Sequence, residues 1–385
     1  MSDAPLLSVI IPAFNCAETL PRAIASARQI QPEPEIIVVD DGSSQNYDEL
    51  QATFSHVRFI RHTQNMGLSQ ARKTGTEAAN GQFILHLDAD DYVLPAVISE
   101  LLAKVVQHGY VLAIFGVIQQ DEYGHQWQED RNQLMDCASL SGRDLMEHEL
   151  LCANSWIWHL CVNKLVARSL ALQVYASIEV WPQLNMYEDL LWSLHLFSVL
   201  DSRTQICTTA QCGYVYIRHA ESITLDKTSM RQQQRQRDMQ QVFSLCRALL
   251  DQRTDASSWQ VLFSWREQKA REFCGLPENA EPLSIKRLNQ SINMNALRRL
   301  RQRFTTMPAG PVYLYGKGEL ADRYQMWLDS QSIQVKGYLQ TPASIASISG
   351  KAIVIIGSVG SFAAIVNQLR QVNPDAIYVG ALNCD

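Results

Sequence analysis

Three carboxylates crowd into FILHLDADDYVLP, residues 83–95, as Asp88, Asp90 and Asp91. Acids this close repel and raise one another's pKa unless something positive joins them. A solvated turn tolerates that crowding. A divalent cation relieves it, because Mg²⁺ and Mn²⁺ take oxygen ligands such as carboxylates and phosphates. Two further acidic pairs stand apart, Asp40–Asp41 in EIIVVDDGSS and Glu188–Asp189 in NMYEDLLWSLHLF. The latter opens an amphipathic helical pattern, where the helix dipole keeps a carboxylate ionised and able to accept a proton. The same pair also suits an ordinary first helical turn. His195 and His159 compete as bases by residue type, although His195, two turns along the same helix, reads as a packed or surface residue.

The elements that must position these acids follow from the apolar pattern. LLSVIIPAFN is a short β-branched run ended by Pro12 and Asn15, and it reads as a buried strand. A helical spacing at Leu20, Ile24 and Ala27 comes next, then a second buried strand at Ile36–Val39 stopped by Asp40, Asp41 and Gly42. HVRFIRH is a third strand, GLSQARKTGTEAANG a helix closing on Gly81, and QFILHLDADD a fourth strand. Strands alternating with helices at this rhythm predict a parallel sheet with helices on both faces. Ligands of such sheets bind beyond the carboxyl ends of the strands. Asn15, Asp40, Asp41 and the acids of 88–91 all fall at those ends.

In this order and spacing, SVIIPAFN, EIIVVDDGSS, NMGLSQARKTG and ILHLDADDYVLP resemble the family 2 glycosyltransferases, inverting enzymes of the GT-A fold. The resemblance covers about residues 6–225. It implies an acceptor hydroxyl attacking the sugar of a nucleotide-diphosphate donor, a UDP-sugar first among them, on a glycan or lipid-linked acceptor. By the same resemblance Asp41 hydrogen-bonds the nucleotide base and Pro12 and Phe14 line it. Asp88 turns toward the ribose and Asp90 toward an Mn²⁺ or Mg²⁺ ion on the diphosphate. Asp91 is an extra carboxylate. Arg72 and Lys73 border the nucleotide pocket, though an exposed helix face accounts for them equally well. Asp189 is the implied base, with Glu188 beside it. A metal on the diphosphate would stabilise the negative charge left when the sugar departs.

In WIWHLCVNKLVARSL, Asn163 and Lys164 match the segment that precedes the acceptor loop. Trp156 and Trp158 could stack on a sugar ring or sit in the core. GYVYIRHAESIT resembles an element that covers the diphosphate after donor binding. Relatives place an arginine directly after the second tyrosine; here Ile217 holds that place and Arg218 follows, while His219, Ser222 and Thr224 keep the pattern. Arg218 and His219 are therefore candidate phosphate or acceptor contacts.

From Thr228 the pattern is helical, and the stretch 284–304 carries six basic and no acidic residues among its apolar positions. A basic amphipathic helix of this kind suits either an anionic membrane surface or packing against the preceding domain. After Pro308 and Gly310 a strand–glycine turn–helix begins a small Rossmann-like domain. Gly316, Gly318 and Ala321 imitate a dinucleotide fingerprint, but Glu319 would set a negative charge where a pyrophosphate belongs. No acid closes the second strand near Gln340 to hold a ribose. Docking or oligomerisation suits this domain better. The predicted organisation is thus residues 1–227, a helical extension over 228–305, and residues 306–385.

Composition bounds the remaining choices. The chain has 385 residues, is 46% hydrophobic and carries a net charge of -6. That describes a globular protein of two or more domains with no global attraction to nucleic acid. Nine scattered cysteines form no zinc pattern and favour reduced thiols. No apolar run approaches the ~20 residues of a membrane span, and the Leu6–Ile11 run is too short for a signal peptide. The expectation is a cytoplasmic protein or one peripheral to a membrane. Two rival readings stay open. In a haloacid-dehalogenase-like phosphotransferase Asp88 would be the nucleophile, but a threonine or valine belongs two places after the second acid, and Val93 lies one place too far. A glycan- or nucleotide-binding scaffold without catalysis would have no need of Asp189.

Overall fold

The computed structural model describes residues 4–128, 134, 137–141, 160–178, 181–184, 186–200, 204–219, 229–251, 256–276, 300, 310–348, 351–357 and 362–380. In chain order the first part comprises β1 (Leu7–Ala13), α1 (Leu20–Arg28), β2 (Glu35–Asp40), α2 (Asp48–Thr53), β3 (Arg58–Arg61), α3 (Leu68–Ala78) and β4 (Phe83–His86). Then come β5 (Tyr92–Val93), α4 (Pro95–His108), β6 (Leu112–Gln120), β7 (Gln126–Trp127), β8 (Cys137–Ser141), β9 (Lys164–Ala167), α5 (Arg168–Ala176), α6 (Glu188–Val199) and β10 (Gln205–Ile217).

These strands form one sheet in the order β3-β2-β1-β4-β9-β6-β10-β5, with β7 on β6 and β8 on β10. The β3-β2-β1-β4 half is parallel, as the alternation of strands and helices requires. It is not parallel throughout: β9 runs antiparallel between β4 and β6, and β5 runs antiparallel to the end of β10. Chain order reverses at β1, which lies between β2 and β4, and this opens a crevice beyond the carboxyl ends of those strands.

The strands that frame the crevice are rigid because they are buried on both faces. All seven residues of β1 and five of the six in β2 are buried. Each large aliphatic among them contributes roughly 1.5–3 kcal/mol by leaving water. Helix α3 lies close against this layer, because a Cβ at Gly75 would come within 2.3 Å of Ile10 Cγ2. That close approach carries Arg72, one turn earlier on α3, into the protein interior. The helix ends at Ala78, short of the predicted Gly81, which instead approaches the backbone of Ser8.

Beyond β10 stand α7 (Ser229–Asp251) and α8 (Ala256–Phe273). Their apolar residues Met239, Val242, Phe243, Leu250 and Phe263 are buried. Phe243 meets the ring of Tyr187 edge-on at 6.0 Å, so the helical extension packs directly on the residue before Glu188. For this reason α6 is not amphipathic: every residue from Leu190 to Phe197 is buried. The basic stretch 284–304 lies outside the described residues except for Leu300, which is buried.

The last part is β11 (Val312–Tyr315), α9 (Glu319–Ser330), β12 (Val335–Leu339), α10 (Pro342–Ile345), β13 (Ile353–Ile356), α11 (Phe362–Val372) and β14 (Ile377–Gly380). Its sheet is wholly parallel in the order β12-β11-β13-β14, the half-Rossmann arrangement expected. Gly316 and Gly318 both take positive φ in the turn after β11. One described contact to the first domain is a hydrogen bond from Asn367 Nδ2 to the Leu134 carbonyl, at 3.1 Å. No described helix is long and apolar enough to cross a membrane.

Candidate active site

Arg72 organises the crevice. It is 2% exposed, and its guanidinium forks between two acids. Nη2 donates to Asp88 Oδ1 at 2.8 Å and Nη1 to Asp189 Oδ1 at 2.6 Å, with Glu188 Oε1 at 3.8 Å from Nη1. Burial would favour a neutral Arg72, but Asp88 and Asp189 outweigh it and hold the side chain charged. The exposed-face reading of Arg72 is therefore overturned. α3 presents this side chain to the interior because Ser69, Ala71, Gly75 and Thr76 are buried beside it.

The two acids that Arg72 joins come from opposite ends of the domain sequence. Asp88 follows β4 and Asp189 opens α6, yet one cation holds both. Their side chains remain 28% and 21% exposed, open to the crevice. Burial, then repulsion from Asp90 and Asp189, raises the Asp88 carboxyl, with Arg72 opposing both. Tyr187 precedes Glu188 and Asp189 with φ 65°, a left-handed conformation uncommon for a tyrosine, and it packs against Phe243 on α7.

Glu188 is more enclosed than Asp189. Burial foremost, then repulsion from Asp189, raises its pKa from 4.5 to about 8. The folded state thus holds this proton where the unfolded chain has released it. Stability falls as pH climbs from 4.5 toward about 8, and the loss is complete above that value. Glu188→Gln cannot ionise, so its melting temperature should drop less than that of the wild type between acidic and mildly alkaline pH. Parallel declines in the two proteins would refute the assignment.

Asp90 is exposed at the crevice, and its backbone carbonyl accepts from Arg22 Nη2. The guanidinium of Arg22 also stacks over Tyr92 at 5.9 Å. Asp91 points the other way. It is 1% exposed, Tyr214 donates its hydroxyl to Oδ2 at 2.6 Å, and Ile217 N–H donates to Oδ1 at 2.7 Å. Burial, then repulsion from Asp90 and Asp88, pushes the Asp91 carboxyl well above the ordinary range. The third acid is a core group.

At the end of β2, Asp41 takes a task that sequence reasoning did not foresee. Its carboxylate accepts from Met66 N–H at 2.9 Å, Gly67 N–H at 2.8 Å and His62 Nδ1 at 2.6 Å, and the residue is buried. It fixes the 62–67 turn that starts α3. A bond from Asp41 to a nucleotide base would compete with these three. Pro12 is buried inside β1, paired in register with Val39, and so supports the wall without lining it. Phe14, one residue past the strand, is 50% exposed and free to face a ring. Asn15 adopts φ 51°, and its Oδ1 accepts from Ser44 N–H and Oγ, tying this loop to the one after β2.

Lys164 is corrected outright. It is 0% exposed, its ammonium donates to Leu160 O and to Asn163 Oδ1 at 3.0 Å, and it lies over the Phe197 ring. A cation so enclosed holds β9 to its preceding turn and contacts no ligand. His195 is 5% exposed, packed against Trp181 and bonded to Ser177, so its place in the core removes it as a competing base, and burial lowers its pKa to about 4. Arg218 is exposed and lies 5.9 Å over Trp127, and His219 follows half-buried. Trp156, Trp158, His159, Ser222 and Thr224 lie outside the described residues. Sequence reasoning also missed His62, Tyr47 and Tyr214. Their only local signal is a polar or phenolic group at the end of an apolar strand or turn.

The site thus sets acids at the carboxyl edge of a mostly parallel α/β sheet opposite an acid borne on a helix. Residues 8–158 match the family model described as glycosyl transferase family 2. It is 27% identical to the uncharacterized glycosyltransferase YibD of Escherichia coli K12 over 238 residues, 58% of this chain and 64% of that protein. It is 36% identical to the undecaprenyl-phosphate 4-deoxy-4-formamido-L-arabinose transferase of Proteus mirabilis over 113 residues, 27% of this chain and 34% of that one. The chain thus spans less than two thirds of the length of these relatives. Among solved structures, that of Staphylococcus aureus TarS 1-349 in complex with UDP-GlcNAc superposes with a TM-score of 0.56 at 15% identity, covering 85% of this chain and 92% of that one. That likeness establishes the GT-A fold.

Proposed function

We propose that this protein transfers a sugar, with inversion, from a nucleotide-diphosphate donor to a hydroxyl of a glycan or lipid-linked acceptor. One observation carries the reading: Arg72 pairs Asp88, at the donor edge of the sheet, with Asp189, at the start of α6. The proton of the acceptor hydroxyl passes to the free oxygen of Asp189. The acceptor oxygen attacks the anomeric carbon, and the bond from that carbon to the diphosphate breaks on the opposite face. Arg72 holds Asp189 in place through the bond from Nη1, and burial raises the carboxyl of Glu188 beside it. The bound UDP-GlcNAc of the TarS structure and the lipid phosphate named for the Proteus relative support a UDP-sugar donor and a lipid-linked or glycan acceptor.

A divalent cation fits the donor edge. Asp90 is exposed and the Asp88 side chain is 28% exposed, and their mutual repulsion favours a cation between them. Among the described residues no three His, Cys, Asp or Glu groups converge on one metal position. The protein would therefore offer one or two carboxylates, with phosphate oxygens and water completing the shell, as Mg²⁺ prefers. When bound, such an ion supplies Lewis-acid stabilisation of the departing diphosphate.

The experiment is thermal stabilisation by UDP with and without Mn²⁺. At about 100 times its dissociation constant a ligand adds roughly 2.7 kcal/mol to folding, which a melting curve resolves. Asp90→Ala is expected to abolish the Mn²⁺-dependent part and leave the fold intact. Undiminished metal stimulation in that variant would refute the metal role. A non-catalytic scaffold would bind the nucleotide yet release no UDP from any donor and acceptor offered.

A further inference from the structure

The third acid of the DADD run has no role in the reaction as proposed, yet it sits at a junction of three functional segments. Asp91 Oδ1 accepts from Ile217 N–H at 2.7 Å, and Oδ2 accepts from the Tyr214 hydroxyl at 2.6 Å. The same hydroxyl accepts from Asp88 N–H at 3.2 Å. A phenol can donate once and accept at the same time, so these bonds are mutually compatible. Asp88 then continues through Arg72 to Asp189, at 2.8 and 2.6 Å. Five hydrogen bonds thus run without a break from the end of β10 to the candidate base. Antiparallel pairing of Tyr214 with Val93 and of Val215 with Tyr92 flanks the junction. Arg218 N–H closes it on the other side by donating to Gln120 O at 2.8 Å.

We infer that Asp91 and Tyr214 are positioning residues that anchor the 88–91 run to the end of β10 and so fix Asp90 for a metal on the diphosphate. The inference rests on the nucleotide-sugar reading above. Asp90 directly precedes Asp91 and Ile217 N–H is bonded to the Asp91 carboxyl, so a shift of one is felt by the other. Partners that orient a metal's ligands are worth about 10- to 100-fold in affinity or activity. Both side chains are almost wholly enclosed, so they act through the residues they hold.

The test uses Tyr214→Phe, which removes one oxygen and keeps the ring, and Asp91→Asn, which keeps the shape. UDP affinity is measured by calorimetry with and without Mn²⁺ on the folded full chain. In Tyr214→Phe the gain in affinity that Mn²⁺ gives should shrink roughly 10- to 100-fold, with metal-free UDP affinity unchanged. A merely structural role would lower the melting temperature and both affinities together, and that result overturns the inference, as does an intact metal-dependent gain. If the wild type binds no UDP with Mn²⁺, the nucleotide-sugar reading itself has failed. Amide exchange then decides the positioning role: faster exchange confined to Asp88 and the 217–218 backbone in Tyr214→Phe supports it, and unchanged protection overturns it. Should Asp91→Asn not fold, Tyr214→Phe carries both measurements.

Discussion

Asp189→Asn is expected to lower turnover roughly 10²- to 10⁴-fold, the usual contribution of a general base. The substitution keeps the size of the side chain and one oxygen for Arg72 Nη1, so the fold and UDP binding should survive. The comparison that matters is between turnover and binding, because a base for the acceptor hydroxyl is needed for the first and not for the second. Retained turnover would mean that the base lies elsewhere. Glu188 is the more enclosed of the two acids, with its side chain 13% exposed against 21% for Asp189. His195 could not replace Asp189, being bonded to Ser177 within the core. A parallel loss of UDP affinity would instead place Asp189 in the donor site.

Arg72→Met should destabilise the protein by about 3–5 kcal/mol, the range for removing one partner of a buried ion pair. The methionine fills most of the volume but leaves Asp88, Glu188 and Asp189 facing one another without a cation. The repulsion between these acids is then no longer offset, and Asp189 loses the bond that holds it in place. Turnover is expected to fall with stability, and the loss of stability should ease as pH is lowered and the acids take up protons. Arg72→Lys tests the geometry separately. A single ammonium restores charge but cannot reach both acids with a planar fork, so stability should recover further than turnover. Full recovery of turnover by lysine would show that charge alone suffices and that the bridge has no positioning role. Denaturant midpoints at two pH values, with turnover on the same samples, supply both readouts.

Much of this arrangement is present in the sequence because it depends on short-range rules. β-branched runs such as Ile36–Val39 bury as strands wherever they fall in a parallel sheet, and the acids that stop them must lie at its carboxyl edge. The strand–turn–helix rhythm of residues 312–380 carries its fold for the same reason. The motif resemblance likewise placed Asp88, Asp90 and Asp189 together, although about a hundred residues separate the first from the last.

What only the tertiary structure decided is which charged groups face ligand and which face protein. Arg72 and Lys164 look alike as exposed basic residues, yet one forks between two site acids and the other is sealed in the core. Their difference is set by Gly75 against Ile10 and by Phe197 over the ammonium, contacts between segments distant in sequence. Asp41 and Asp91 belong to the same acidic clusters as their neighbours, but backbone N–H groups and a tyrosine from other strands claim them. The helical extension gave no motif at all, and its grip on Tyr187 follows from Phe243 packing more than fifty residues later. Local pattern fixes where a side chain leaves the backbone, whereas long-range packing fixes what surrounds it, and the surroundings determine whether a carboxylate binds a cation, takes a proton or holds a turn.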